Sequence, residues 1–163
     1  MESIQLSADE LSQKLDRILD EYCESKGIKT YKINNEGDEY LEMTGQQLKA
    51  LTAQECGIGA FLIEQRALHI QIEYNKENGR ANWAERTIAL VIADKVNNYK
   101  GYSYVERSLQ AIKEDSYASR LEKIRAQAKA RASRLEHIST KLNNVSKTLI
   151  GLQYIKGGSQ RGE

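Results

Sequence analysis

A mostly α protein of several helices, ending in a long heptad helix of coiled-coil type, is the fold this sequence predicts. Three observations carry that expectation. From Tyr117, intervals of four and three residues land on Leu121, Ile124, Ala128, Arg131, Leu135, Ile138, Leu142, Val145, Leu149 and Leu152. A 3.5-residue period keeps one stripe of a helix against a partner through many turns. No proline occurs in the 163 residues, which permits long helices because proline breaks helix interiors. Ser or Thr followed three positions later by Glu or Gln stands ahead of apolar stripes, the signature of a capping box. The length predicts one helical domain over residues 1–156, with a disordered Gly-rich tail at 157–163.

Taken in order, Ser7 and Glu10 open an acidic helix over 7–26, with Ala8, Leu11, Leu15, Ile18, Leu19 and Tyr22 as its apolar stripe. Gly27 stops it, since glycine accepts the left-handed conformation at little cost. Residues 28–43 change character. Lys29 to Ile33 and Glu39 to Met43 flank Asn34-Asn35-Glu36-Gly37-Asp38, which reads as a small β-hairpin or, because the alternation is short, an irregular loop. A helical core over 45–155 follows. Thr44 with Gln47 starts it, and Leu48, Leu51, Ile58, Phe61, Leu62, Leu68 and Ile72 are its core candidates. Gly57 and Gly59 mark a helix interruption or a close helix crossing. Asn78-Gly79 reads as a turn, and Asn82 with Glu85 as the next cap, ahead of Ile88, Ile92 and Val96. Gly101 marks an end or bend before Val105, Leu109 and Ile112. The phase slips by one residue between Ile112 and Tyr117, which predicts a kink, local unwinding or change of partner.

The charge is nearly balanced overall and uneven along the chain. Residues 1–66 carry seven Lys/Arg against thirteen Asp/Glu, and residues 117–163 carry ten against three. The two ends either attract each other, within a chain or between subunits, or the basic end meets a polyanion. No run of about 18 apolar residues predicts a membrane span. The N-terminus lacks the basic and apolar regions of a secretory signal. Cys23 and Cys56 stand alone, without metal-ligand or redox spacing, so reduced thiols in a cytoplasmic setting are expected, that of the host cell if the chain is phage-encoded.

Catalysis finds little support. His69 and His137 are the two histidines, and no Ser or Cys sits in a nucleophile motif. His69, in an apolar stretch, reads as a core or contact histidine, and His137 as a solvated one. Gly57-Ile58-Gly59 lacks the Gly-Lys-Ser/Thr of a phosphate loop. No enzyme, metal site or cofactor is expected.

The basic stretch is the stronger candidate. Arg120, Lys123, Arg125, Lys129, Arg131, Arg134 and Lys141 recur within 22 residues. With Leu121 as an a position, Arg120, Arg134 and Lys141 fall at g. The e positions Ala118, Ala132, Ser139 and Ser146 are uncharged, with Arg125 the one basic exception, so the usual g–e pairing of opposite charges in a zipper is missing. This face is either solvated and paired to the acidic N-terminal helix, or a phosphate-tracking surface for single-stranded nucleic acid. Arg131 occupies a d position inside the stripe. It therefore requires a carboxylate partner fixing the register, a carbonyl lining, or a water-filled lumen in a ring of subunits. Tyr99, Tyr102, Tyr104 and Tyr117 cluster just ahead, either as packing residues or as stacking surfaces for bases.

The stretch from Gly79 through Ala84-Glu85-Arg86 to Tyr117 and the Leu-rich terminal helix, roughly residues 74–153, resembles recombination mediators of tailed phages of the UvsY type. That resemblance implies a helical ring-forming protein that binds single-stranded DNA and helps load a recombinase. It implies DNA contact at Lys123, Arg125, Lys129 and Arg134. The expected function is thus a non-enzymatic, single-stranded DNA-binding accessory protein of phage-type recombination or replication. It would act as a homo-oligomer held by the seam Leu121, Ile124, Ala128, Leu135, Ile138, Leu142, Val145, Leu149 and Leu152. A recombinase or single-strand-binding protein is the expected partner. The alternative is an oligomeric structural or assembly protein of a phage, or an inhibitor of a host protein, with no nucleic-acid site.

Overall fold

The computed structural model describes residues 7–28 and 35–159. Helix dominates them, and no strand occurs among the described residues. The helices are α1 (Ala8–Ser25), α2 (Asp38–Glu42), α3 (Gly45–Ala50), α4 (Ala53–Ile92), α5 (Tyr104–Glu114), α6 (Ser116–Leu135) and α7 (Ile138–Ser159), with a 3₁₀ turn at Val96–Asn98. The chain divides into two compact units. Met1–Thr30 with Tyr74–Arg134 make the first, and Tyr31–Glu73 with Leu135–Glu163 the second.

In the first unit, Ser7 caps α1 through the expected reciprocal box, with Glu10 N–H donating to Ser7 Oγ and Ser7 N–H to Glu10 Oε2. Gly27, at φ 70°, ends it in the left-handed conformation. The C-terminal part of α4 packs Ala84, Ile88 and Ile92 with Ala118, Leu121 and Ile124 of α6, and with Ala8, Val96 and Ala111. Ser103 and Glu106 form a further capping box on α5. The slip between Ile112 and Tyr117 is a local unwinding at Asp115, whose backbone is extended. Its carboxylate then caps α6 by accepting from the Ala118 amide at 2.9 Å.

The core of the second unit joins Tyr40, Ala60, Ile63, Ala67, Leu142 and Leu149. Two polar pairs cross it: Ser146 Oγ donates to Glu64 at 2.9 Å and Ser139 Oγ to Gln71 at 2.7 Å. With Gly57 facing Gln153, these pairs show α7 running antiparallel to the N-terminal part of α4. Lys156 Nζ donates to the carbonyls of Lys49 and Leu51, satisfying the C-terminal end of α3.

Several sequence expectations are corrected here. The hairpin at 28–43 is not seen among the described residues: one arm, Lys29–Ile33, lies outside them, and the other is the helix α2 plus Met43. Asp38 and Glu39 suit a first helical turn, and burial of Tyr40 holds it. Gly57 and Gly59 do not interrupt a helix, and Asn78-Gly79 is not a turn nor Asn82 a cap, because α4 runs through all of them. Small residues at 57 and 59 serve close approach instead. A Cβ at Gly59 would lie 2.5 Å from Tyr40 Cε1, and one at Gly57 2.8 Å from Gln153 Nε2. Gly157 and Gly158, expected in a disordered tail, belong to α7, while 160–163 lie outside the described residues. The expected C-terminal heptad arm is present, with a break at Glu136-His137 where His137 takes φ 65°.

Candidate nucleic-acid interface

The heptad stripe of the C-terminal arm faces the chain's own cores. Leu121, Ile124 and Ala128 are buried in α6, and Leu142 and Leu149 in α7. Leu135, Ile138, Val145 and Leu152 are half-buried. Ala118, Ala132, Ser139 and Ser146, seven or fourteen residues apart, are buried too. The packed face is thus rotated from a/d toward the small e residues, which let α4 approach closely. That rotation moves Arg131 to the margin, where its side chain is 47 % exposed.

The acidic N-terminal helix and α4 take up much of the basic charge of α6. Arg120 Nε donates to Asp9 Oδ2 at 2.6 Å, and this bond lifts the Arg120 pKa above its ordinary value. Arg125 grips Glu122 through two bonds of 2.6 and 2.7 Å and lies 3.7 Å from Glu85 Oε2. Its pKa is raised chiefly by the Glu122 hydrogen bond, against the opposing effect of burial. Lys129 Nζ donates to the same Glu85 oxygen at 2.9 Å. Glu85 is held below the usual carboxylate range, first by Lys129 and then by Arg125. Arg131 Nη2 sits 2.9 Å from Glu77 Oε2, a charge contact without hydrogen-bond alignment.

Lys123, Arg134 and Lys141 are exposed and make no ion pair among the described residues. On α6 the positions 120, 123, 127, 130 and 134 follow the i, i+3, i+7 spacing of one helix face. They are Arg120, Lys123, Gln127, Ala130 and Arg134, all exposed and without a carboxylate. Lys141 lies on α7, in the second unit.

The tyrosine cluster divides. Tyr99 and Tyr117 pack against the first unit's core, and burial pushes both phenols above their ordinary pKa. Tyr102 and Tyr104 stand in solvent, Tyr102 completely. His69 is half-buried and His137 exposed. No group of three or more His, Cys, Asp or Glu suited to a metal occurs among the described residues, nor any helix long and apolar enough to cross a membrane.

Sequence reasoning did not find the acidic partners of the basic stretch on α4. Glu77 is buried, with Oε1 2.7 Å from Arg80 Nη1, and Arg80 reaches Asp16 of α1 at 2.6 Å. Burial alone would lower the Arg80 pKa, yet the Asp16 and Glu77 contacts outweigh it and raise it. A Glu–x–x–Arg pair on one helix face was the visible signal. Its links to Asp16 and Arg131 across more than 50 residues had none.

The described residues define a mostly helical protein in which one face of α6 carries basic residues and no carboxylate of its own. Searches against protein-family models, curated proteins and solved structures found nothing that matches the chain.

Proposed function

We propose that the chain is a non-enzymatic, single-stranded DNA-binding accessory protein of phage-type recombination or replication, acting as a homo-oligomer, with the solvent face of α6 as its DNA contact. The observation that supports this reading is the stripe Arg120, Lys123, Gln127, Ala130 and Arg134, which carries cations and no carboxylate. Such a face favours phosphate contacts, because an interspersed acid weakens the attraction for the backbone. Exposed Tyr102 and Tyr104 add rings of the kind that stack on unpaired bases. The ion pairs of Arg120 and Lys129 do not oppose this, since exposed pairs are weak and exchangeable. A recombinase or single-strand-binding protein is the partner class that the UvsY-type resemblance implies.

Fluorescence anisotropy of a labelled single-stranded oligonucleotide, titrated with salt, tests the reading. Neutralising about three phosphates should give a log–log salt slope of roughly −2. Lys123→Glu with Arg134→Glu should remove binding while sedimentation velocity shows unchanged assembly. No binding by the wild type at low salt would reject the reading.

A second reading, an assembly protein or an inhibitor of a host protein, draws on a different observation. In the second unit, Ile58, Phe61 and Leu68 of α4 are exposed at heptad spacing, away from the face that carries Ala60, Ile63 and Ala67. If Phe61→Glu alters assembly while charge reversal on α6 has no DNA phenotype, this second reading replaces the first.

A further inference from the structure

Within the first unit, one carboxylate oxygen gathers two cations from one face of α6. Glu85 Oε2 lies 2.9 Å from Lys129 Nζ and 3.7 Å from Arg125 Nη1. Arg125 and Lys129 are one helical turn apart, so their side chains converge. Glu122 fixes the Arg125 guanidinium through a two-bond fork, orienting it without occupying Lys129. Both the Glu85 carboxylate and the Lys129 ammonium remain about half exposed, at 55 % and 50 % of their side-chain area. Two cations that converge on one carboxylate oxygen, one of them pre-oriented, can bind an oxyanion in its place. Glu85 fills that place from the neighbouring helix, and among the described residues these two cations are its ion-pair partners.

We infer that Arg125 and Lys129 form an anion site for a backbone phosphate of single-stranded nucleic acid, which Glu85 occupies in the free protein and leaves on binding. The inference rests on the single-strand reading above and makes Glu85 an internal competitor. A guanidinium and an ammonium exchange a carboxylate for a phosphate with no change in the number of neutralised charges. The exposed pair given up is weak, and a phosphate offers separate acceptor oxygens to Arg125 Nη1 and Lys129 Nζ.

The test is anisotropy with a labelled oligonucleotide, comparing the wild type, Glu85→Gln, and Glu21→Gln. Glu21 is an exposed carboxylate of α1 that contacts no cation in the described residues, so its substitution makes the same change in net charge. Glu85→Gln should bind about 2–5-fold more tightly than Glu21→Gln, the range that loss of an exposed competing ion pair allows. The gain should vanish in Glu85→Gln with Lys129→Gln. Equal affinities for Glu85→Gln and Glu21→Gln, with the wild type binding, would overturn the internal competitor and leave the single-strand reading standing. No binding by any of the three would overturn the single-strand reading itself, and the anion site with it.

Discussion

Arg131 on α6 and Glu77 on α4 meet at 2.9 Å, and this contact explains how a cation sits inside an otherwise apolar heptad. Glu77 is 8 % exposed and would be costly to leave unpaired. Arg80 covers its other oxygen and ties it to Asp16 on α1, so three helices of the first unit share one charge network. Arg131→Met removes one of two cations from a buried carboxylate and is expected to cost about 1–3 kcal/mol in urea unfolding. Adding Glu77→Leu should recover part of that loss, because the surviving Arg80 still has Asp16. Additive losses in the double-mutant cycle would show that the two groups do not act as a pair.

Gly59 and Gly79 occupy the same helix, and substitution by Ala should move stability in opposite directions. A Cβ at 59 would sit 2.5 Å from the Tyr40 ring, whereas one at 79 meets nothing within 4 Å. Displacing a buried ring costs about 1–3 kcal/mol, more than the roughly 1 kcal/mol that Ala gains over Gly in a helix interior. Gly59→Ala should therefore lower stability, and Gly79→Ala should raise it by about 0.5–1 kcal/mol. Thermal unfolding of the two variants separates the cases, and a stabilised Gly59→Ala would mean that Tyr40 is not anchored there.

Asp115 gives the first unit a dependence on acid. Its carboxylate is held below the usual range, first by the Lys95 hydrogen bond and next by the Ala118 amide at the start of α6. A folded pKa below the unfolded one contributes stability that is present above the unfolded value and lost as pH falls through the folded one. The loss should therefore begin below about pH 4, where free Asp protonates. Asp115→Asn should lower stability at neutral pH and flatten this acid limb. An unchanged limb in the variant would assign it to other carboxylates, Glu85 being one with the same direction of shift.

How far these relationships were legible in the sequence depends on their range. The capping boxes at Ser7 and Thr44 and the stop at Gly27 are local chemistry, and each was read correctly. The period of the C-terminal arm was legible, but its buried face was not centred on the apolar residues. Counting hydrophobic side chains passes over Ala132, Ser139 and Ser146, which are buried because they are small. Gly79 and Asn82 looked like punctuation, yet burial of Ala81, Ala84 and Ile88 around them outweighs a weak local preference. The break at His137 had no glycine to mark it. Of the basic residues, sequence alone could not say which would find carboxylates. Asp9, Glu77 and Glu85 lie 40 or more residues from their partners on α6.

That division of the basic residues leads to a graded expectation for DNA binding. Each phosphate contact to a single strand contributes roughly 0.7 to the salt slope. Lys123 and Arg134 have no competing carboxylate among the described residues, so Lys123→Gln and Arg134→Gln should each lessen the slope by about 0.7. Arg120 must first leave Asp9, so Arg120→Gln should weaken binding less than either of them. Tyr102→Ala should act differently, lowering affinity by up to about 1–3 kcal/mol through lost stacking while leaving the slope unchanged. Affinities and slopes measured across a salt series distinguish these contributions. A slope that stays at the wild-type value in Lys123→Gln and Arg134→Gln would place the phosphate contacts off this face of α6.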